Sequence, residues 1–319
     1  MASYLVTGGA GFIGSHLVEA LVSRGDTVRV VDNLVTGHRD NLAHVVGADL
    51  TIGNLADSEV VDRVVTGIDY VVHLAAIPSV PRSIADPISS NEANVSATLN
   101  LLFAAKRHSV RRVVFASSSS IYGETAALPS REDAPPDPLS PYALQKWMGE
   151  QYGRLFQNLY GLDTVILRYF NVFGPRQDSS SPYSGVISLF ARCLAERQQP
   201  IIYGDGEQTR DFTYVENVVD GTLRACTAIG ASGQVINISC GDRVSLNTLF
   251  GLMQSLSGVE LEPRFAEPRN GDVRHSQADI SRARMVLGYQ PVVQLEEGLR
   301  RTLEWYRTHG FQQCADGKA

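Results

Sequence analysis

The chain has 319 residues, enough to bury one large core or two domains that share one. Hydrophobic residues make up 44% and charged residues 19%, the balance of a folded chain rather than a disordered one. A net charge of -6 excludes an overall basic field for nucleic acid or anionic lipid, and no apolar run reaches the roughly 18 residues of a membrane-spanning helix.

The first eight residues carry neither a basic region nor a long apolar stretch, so no signal peptide is expected. Tyr4-Leu5-Val6 predicts a strand, followed by glycines and a helix over 12–23. Further strands are predicted at 27–31, ending at Asp32, and at 70–74 and 112–116, with helices near 58–66 and 91–108. Strand–helix alternation of this kind implies an α/β fold, a parallel sheet covered by helices on both faces. Ser140 suits an N-cap and Pro141 a first helical position, predicting a helix to about 159 that stops at Gly161. A strand follows at 164–169.

After Asn171 the texture changes. Residues 174–182 read as a loop; later come a helix near 185–196, a strand at 200–203, a helix near 215–227, a strand at 235–238 and a helix over 295–308. The simplest layout is a cofactor-binding domain over 1–170 and a smaller, mainly substrate-binding region over 171–319, with the chain free to cross between them. Cys193, Cys226, Cys240 and Cys314 are scattered, without the local pairs of zinc or redox motifs, and read as reduced thiols of a cytoplasmic protein. No histidine motif implies a metal.

Thr7-Gly8-Gly9-Ala10-Gly11-Phe12-Ile13-Gly14 joins the first strand to the first helix. Gly11 allows close approach of a pyrophosphate, Gly14 allows close packing of the helix, and the helix N-terminus favours the phosphate charge. Asp32, at the end of the second strand, is placed to accept hydrogen bonds from ribose hydroxyls and to repel a 2′-phosphate, which favours NAD over NADP. Tyr142 and Lys146, four apart on the helix capped by Ser140, share one face. A free tyrosine titrates near pH 10. A neighbouring ammonium and an oxidised nicotinamide are expected to lower that value and make Tyr142 a base. Ser117-Ser118-Ser119-Ser120, after the strand ending at Ala116, offer a hydroxyl to the same substrate oxygen.

Together these residues resemble the extended short-chain dehydrogenase/reductase family, in its branch acting on nucleotide-diphosphate sugars. His73-Leu74-Ala75-Ala76, the run from Arg168 to Pro175, Tyr203-Gly204-Asp205-Gly206 with Thr209-Arg210-Asp211-Phe212, and the run from Arg269 to Ser276 extend the resemblance over nearly the whole chain. It implies a Rossmann-type doubly wound sheet and a UDP-hexose 4-epimerase. Ser118, Tyr142 and Lys146 would be catalytic, with Ser119 a second candidate for the serine. NAD would be lined by Gly8, Gly11, Phe12, Ile13, Asp32, Asn33, Gly37, Asn54, Leu55, Leu74, Ala75, Ala76, Asn94, Tyr142, Lys146 and Tyr169. The UDP-sugar would meet Ser79, Val80, Ser118, Ser119, Ser120, Tyr142, Asn171, Gln177, Gly185, Val186, Tyr203, Arg210, Arg269, Asp272 and Ser276. Two arginines suit a diphosphate, and Tyr203 suits packing on a base. Asn54 stands where the family usually has an aspartate beside adenine; its amide oxygen can accept the same bond.

The branch's reactions begin with hydride removal at C4 of the sugar. Its dehydratases carry an Asp-Glu pair after the catalytic hydroxyl, and its decarboxylases a glutamate. Ser119 and Ser120 stand there in this chain, so the resemblance implies simple oxidation, rotation of the 4-keto sugar and re-reduction. Small Ser276 at a gatekeeping position, and Asn171 and Asp178 where glucuronate epimerases have Thr and Arg, favour UDP-GlcNAc/UDP-GalNAc interconversion, with UDP-Glc/UDP-Gal as a second pair. The alternatives are a UDP-glucuronate epimerase or other nucleotide-sugar epimerase/dehydratase, and a non-catalytic NAD-binding regulator. No nucleic-acid or membrane partner is expected. The resemblance implies a homodimer through the helices near 91–108 and 142–159.

Overall fold

Strand β1 (Ser3–Thr7) is almost wholly buried and opens directly into the glycine turn. The computed structural model describes residues 1–124, 127–179, 185–268 and 273–311. In chain order there follow α1 (Phe12–Ser23), β2 (Thr27–Asp32), β3 (Ala48–Ile52), α2 (Ser58–Val65), β4 (Tyr70–His73), α3 (Val80–Ala85), α4 (Pro87–Asn91), α5 (Ala97–Arg107), β5 (Arg112–Ser118), α6 (Pro141–Tyr160) and β6 (Thr164–Tyr169). The remainder comprises β7 (Val172–Phe173), α7 (Val186–Glu196), β8 (Ile201–Tyr203), β9 (Thr209–Arg210), β10 (Thr213–Tyr214), α8 (Val215–Thr227), β11 (Val235–Ile238), β12 (Val244–Ser245), α9 (Leu246–Ser257), β13 (Arg264–Ala266), α10 (Ser281–Leu287) and α11 (Leu295–His309).

Seven parallel strands form the main sheet in the order β3-β2-β1-β4-β5-β6-β11. Successive strand residues point to opposite faces, and each face has its own apolar layer. Val6, Val30 and Val72 pack with Leu17, Val18 and Leu21 of α1 and Val218 and Ala225 of α8. Leu5, Val31, Val71 and Val113 pack with Val61 and Val64 of α2, Leu101 and Ala105 of α5 and Phe156 of α6. A third cluster joins α7, α9 and α11 through Phe190, Leu249, Phe250 and Leu299. The chain beyond residue 171 returns to the main sheet: β11 pairs with β6, and α8 covers the same face as α1.

Local chemistry sets the boundaries. Ser140 Oγ accepts the Ala143 N–H at 3.2 Å, and Gly161 ends α6 in the left-handed region. The single helix expected over 91–108 is instead broken: a π-type segment over Glu92–Ser96 separates α4 from α5, where Asn94 turns inward. Short α3 and α4 carry proline at their starts and too few apolar positions to show a helical period. Among the described residues no helix is long and apolar enough to cross a membrane.

Candidate active site

A cleft of about 690 Å³ opens at the carboxyl ends of the strands, where strand order reverses between β1 and β4. One end is glycine-lined. A Cβ on Gly8, which sits at φ 69°, would lie 2.8 Å from the Ala75 nitrogen. A Cβ on Gly14 would lie 2.2 Å from the Gly8 carbonyl oxygen, so α1 rests on the turn itself. No side chain caps the N-terminus of α1. Asp32 is buried, with its carboxylate accepting the Ala10 N–H at 3.0 Å and the Leu34 N–H at 2.8 Å.

The centre of the cleft carries Ser118, Tyr142 and Lys146. Ser118 Oγ accepts from the N–H and Oγ of Ser120, which leaves its own O–H for Tyr142. Ser83 Oγ accepts the Tyr142 N–H at 3.1 Å, fixing α3 on the start of α6. Lys146 Nζ donates to the Ala116 carbonyl at 2.7 Å and lies 5.1 Å from the centre of the Phe115 ring. The expected lowering of the phenol by this ammonium is not what the chain's own groups produce. Burial pushes Tyr142 up to about 12, and the Ser118 hydroxyl is the group that pulls it down. Burial also lowers Lys146 to about 8, against the pull of Glu150. His73 donates and accepts between the hydroxyls of Thr7 and Thr98 and is held down to about 3 by burial, a neutral core histidine.

The other end is lined by Ser79, Val80, Ser119, Ser120, Asn171, Gln177, Gly185, Arg210 and Ser276. Asn171 Nδ2 donates to the Asp211 carbonyl at 3.2 Å and approaches Ser276 Oγ at 3.5 Å. Asp211 is a buried clamp whose carboxylate accepts the N–H groups of Cys240, Gly241 and Ala278; burial nonetheless raises it to about 6. Gly11, Phe12, Ile13, Asn33, Asn54, Leu55, Leu74, Ala75, Ala76 and Tyr169 also line the cleft. Among the described lining residues Gly37, Asn94, Val186 and Tyr203 are missing. Gly37 lies behind Asp32: a Cβ there would be 2.8 Å from the carboxylate. Asn94 is buried and spent on the Ile77 backbone and Gln145 Oε1. Val186 begins α7 beyond Gly185, and Tyr203 lies in β8 beside β13. Arg269, Asp272 and Cys314 lie outside the described residues.

Residues 4–239 match the model of the NAD dependent epimerase/dehydratase family. The chain belongs to that family. It is 41% identical to a UDP-glucose 4-epimerase of Mycolicibacterium smegmatis, over 95% of this chain and 98% of that one. It is 35% identical to a UDP-glucuronate 4-epimerase of Thermodesulfobacterium geofontis, over 96% of each. The solved UDP-N-acetylglucosamine 4-epimerase of Methanobrevibacter ruminantium, in complex with UDP-N-acetylmuramic acid, superposes with a TM-score of 0.93 at 39% identity, covering 97% of this chain and 99% of that one. The protein is an enzyme of the UDP-sugar 4-epimerase family, and its cofactor is NAD. The glycine turn fits that cofactor: it is a cradle that a Cβ at Gly8 would fill, with uncapped helix N–H groups on one side and the Asp32 carboxylate on the other. Asn54 Oδ1 is turned onto the Ala56 N–H at 3.0 Å.

Behind Ser118, Tyr142 and Lys146 lies a buried charge pair. Glu150, one turn beyond Lys146, accepts from Arg168 Nε and Nη2, each at 2.8 Å, and from Ser117 Oγ at 2.6 Å. The Arg168 guanidinium also lies 4.7 Å from the centre of the Tyr122 ring. Neither Glu150 nor Arg168 is among the residues expected at the site. The i, i+4 step from Lys146 was the readable signal for Glu150; the pairing with a strand arginine was not.

Proposed function

We propose that this enzyme interconverts UDP-GlcNAc and UDP-GalNAc at C4, with UDP-Glc and UDP-Gal as a second pair, and keeps its NAD bound through the cycle. The observation that carries the reading is the lack, among the described residues, of an unengaged carboxylate beside the Ser118–Tyr142 pair. Asp32 and Asp178 are the carboxylates among the described lining residues. Asp32 is committed to backbone at the cofactor end, and Asp178 sits in a loop held by a Tyr306 hydroxyl bond to the Gln177 carbonyl. Glu150 is saturated by Arg168 and Ser117. Among the described residues no side chain is left to drive elimination or decarboxylation, so proton exchange at the 4-oxygen is what remains.

NAD, when bound, supplies the hydride acceptor and donor for C4. Tyr142 takes and returns the proton of the 4-hydroxyl, and Ser118 orients that oxygen. Lys146, fixed on the Ala116 carbonyl, supplies positive charge behind the phenol. Arg210, with Arg269 and Asp272, would anchor the diphosphate and uridine. The hexose end presents small groups at Ser79, Ser119, Gly185 and Ser276, which leave a tethered ring room to turn over and a 2-acetamido group room to fit.

Arg82 favours a second reading. It lines the cleft beside Ser83, and among the described residues its guanidinium has no partner, as a carboxylated sugar would require. Purified enzyme incubated with each UDP-sugar and followed by anomeric proton NMR separates the two. The proposal expects UDP-GalNAc to become UDP-GlcNAc without added reductant, and Tyr142→Phe to lose at least about 100-fold in kcat. A clear preference for UDP-glucuronate refutes it. The α5–α6 face exposes Phe103, Leu155, Leu159 and Tyr160 around a shallow groove, which supports the homodimer; sedimentation velocity checks it. A cytoplasmic setting agrees with the reduced Cys193, Cys226 and Cys240.

A further inference from the structure

The loop after β7 carries Gln177 and Asp178 into the sugar end of the cleft, and its backbone is under strain. Within it Arg176 has φ 67°, in the left-handed region that a side chain disfavours, and Asn171, just before β7, has φ 32°. Glycine adopts such a backbone without cost, so an arginine at 176 raises the question of what its side chain does.

That side chain turns away from the sugar and crosses to the cofactor end, where it is largely buried. Nη2 donates to His16 Nδ1 at 2.7 Å and to Glu19 Oε2 at 2.6 Å, both on α1. Nη1 donates to the Asn41 carbonyl at 3.2 Å and approaches His44 Nε2 at 3.5 Å. A guanidinium can only donate and a carbonyl can only accept. His16 is therefore the neutral tautomer with its proton on Nε2, which donates back to the Pro175 carbonyl at 2.9 Å. Burial, reinforced by Arg176, keeps that ring neutral down to about pH 4. His44 Nε2 closes the cluster on Glu19 at 3.2 Å. The same Asn41 donates its side-chain amide to the Ala10 carbonyl, and the Ala10 N–H is held by Asp32. Gly174 brings the loop to the Phe12 ring in the first turn of α1.

We propose that Arg176 is a positioning residue that fastens the sugar-side loop to helix α1, so that holding NAD in the glycine turn and holding UDP at the other end of the cleft reinforce each other. Arg176 touches neither ligand position itself; it acts through Gln177 and Asp178 on one side and through α1 and Asn41 on the other. The inference rests on the UDP-sugar reading of the cleft but not on which sugar is turned over.

Arg176→Gly tests it, because glycine removes the side chain and relieves the left-handed strain together. Two readouts on NAD-loaded protein need no turnover: UDP affinity by titration calorimetry, and the rate of NAD release with and without UDP. In the wild type UDP should slow NAD release by about 10-fold, within the usual range of coupling between two sites. R176G should melt within about 2 °C of the wild type, bind UDP about 10-fold more weakly and lose most of the slowing. Arg176→Lys, which keeps the strain and loses the fork to His16 and Glu19, should resemble R176G in binding but melt lower. Glu19→Gln, at a half-exposed partner, should fold normally and lose about threefold of the coupling. Unchanged UDP affinity and unchanged slowing in R176G overturn the proposal. If R176G fails to fold, unchanged values in E19Q overturn it alone. Failure of every UDP-sugar to turn over would refute the proposed substrates while leaving these two readouts to decide on Arg176.

Discussion

Glu150→Ala removes the carboxylate that Arg168 grips with two 2.8 Å bonds. Glu150 is 0% and Arg168 3% exposed, so bulk solvent does not reach the guanidinium that loses its partner. Arg168 Nη1 already lacks a partner among the described residues, and Ser117 Oγ loses its acceptor too. Breaking a buried pair from one side costs about 3–5 kcal/mol. At about 2–4 °C per kcal/mol, the melting temperature should fall on the order of 10 °C. The same carboxylate lifts Lys146 against burial, so its loss should take the lysine below about 8. The ammonium then disappears at lower pH, and the alkaline limb of kcat should move to lower pH by the same interval. Thermal melts and a pH–rate profile of E150A measure both effects. The double variant Glu150→Leu with Arg168→Met separates them, because exchanging both charges for apolar side chains restores most of the stability while the kcat limb stays displaced. An E150A melt within 1 °C of the wild type, or a double variant no more stable than E150A, would refute this account of the pair.

Gly14→Ala places a Cβ 2.2 Å from the Gly8 oxygen and 2.7 Å from the Gly9 Cα, so the turn and the helix must part by roughly an ångström. NAD retention after gel filtration should fall about 10-fold or more; retention equal to wild type counts against the cradle. His73, held neutral, has a folded-state pKa near 3 against an unfolded value of about 6.5. Its contribution is whole above pH 6.5 and is lost as pH falls toward 3, at about 1.4 kcal/mol per pH unit. Urea melts at pH 7.5 and 5.0 should show a shallower loss in His73→Gln, and an identical loss in both proteins contradicts the assignment.

What the sequence made legible was what short-range chemistry encodes. The glycine turn, Asp32 at the strand end, the cap at Ser140 and the four-residue step from Tyr142 to Lys146 each need only neighbours along the chain. The edge strand β3 escaped because Ala48-Asp49-Leu50-Thr51-Ile52 mixes charge with apolar residues and leaves Ile52 exposed. The two-residue ladders of β7, β9, β10 and β12 are too short to carry a period. Long-range pairings were closed to sequence reading in principle: Glu150 with Arg168, Asp211 with the backbone at Ala278, Arg176 with α1. Asn94 shows the limit from the other side: the resemblance names it for the cofactor, and its hydrogen bonds to Ile77 and Gln145 could not be read from the sequence.

The seventh strand has a consequence for synthesis. β6 is buried along its whole length, yet its outer neighbour, β11, is made some 65 residues later. During translation the nascent half-sheet therefore leaves the ribosome with a bare apolar margin, open to any passing strand until about residue 240 has emerged. Slow decoding between residues 170 and 235 would lengthen that exposure, and aggregation during expression would trace to this margin rather than to the cleft.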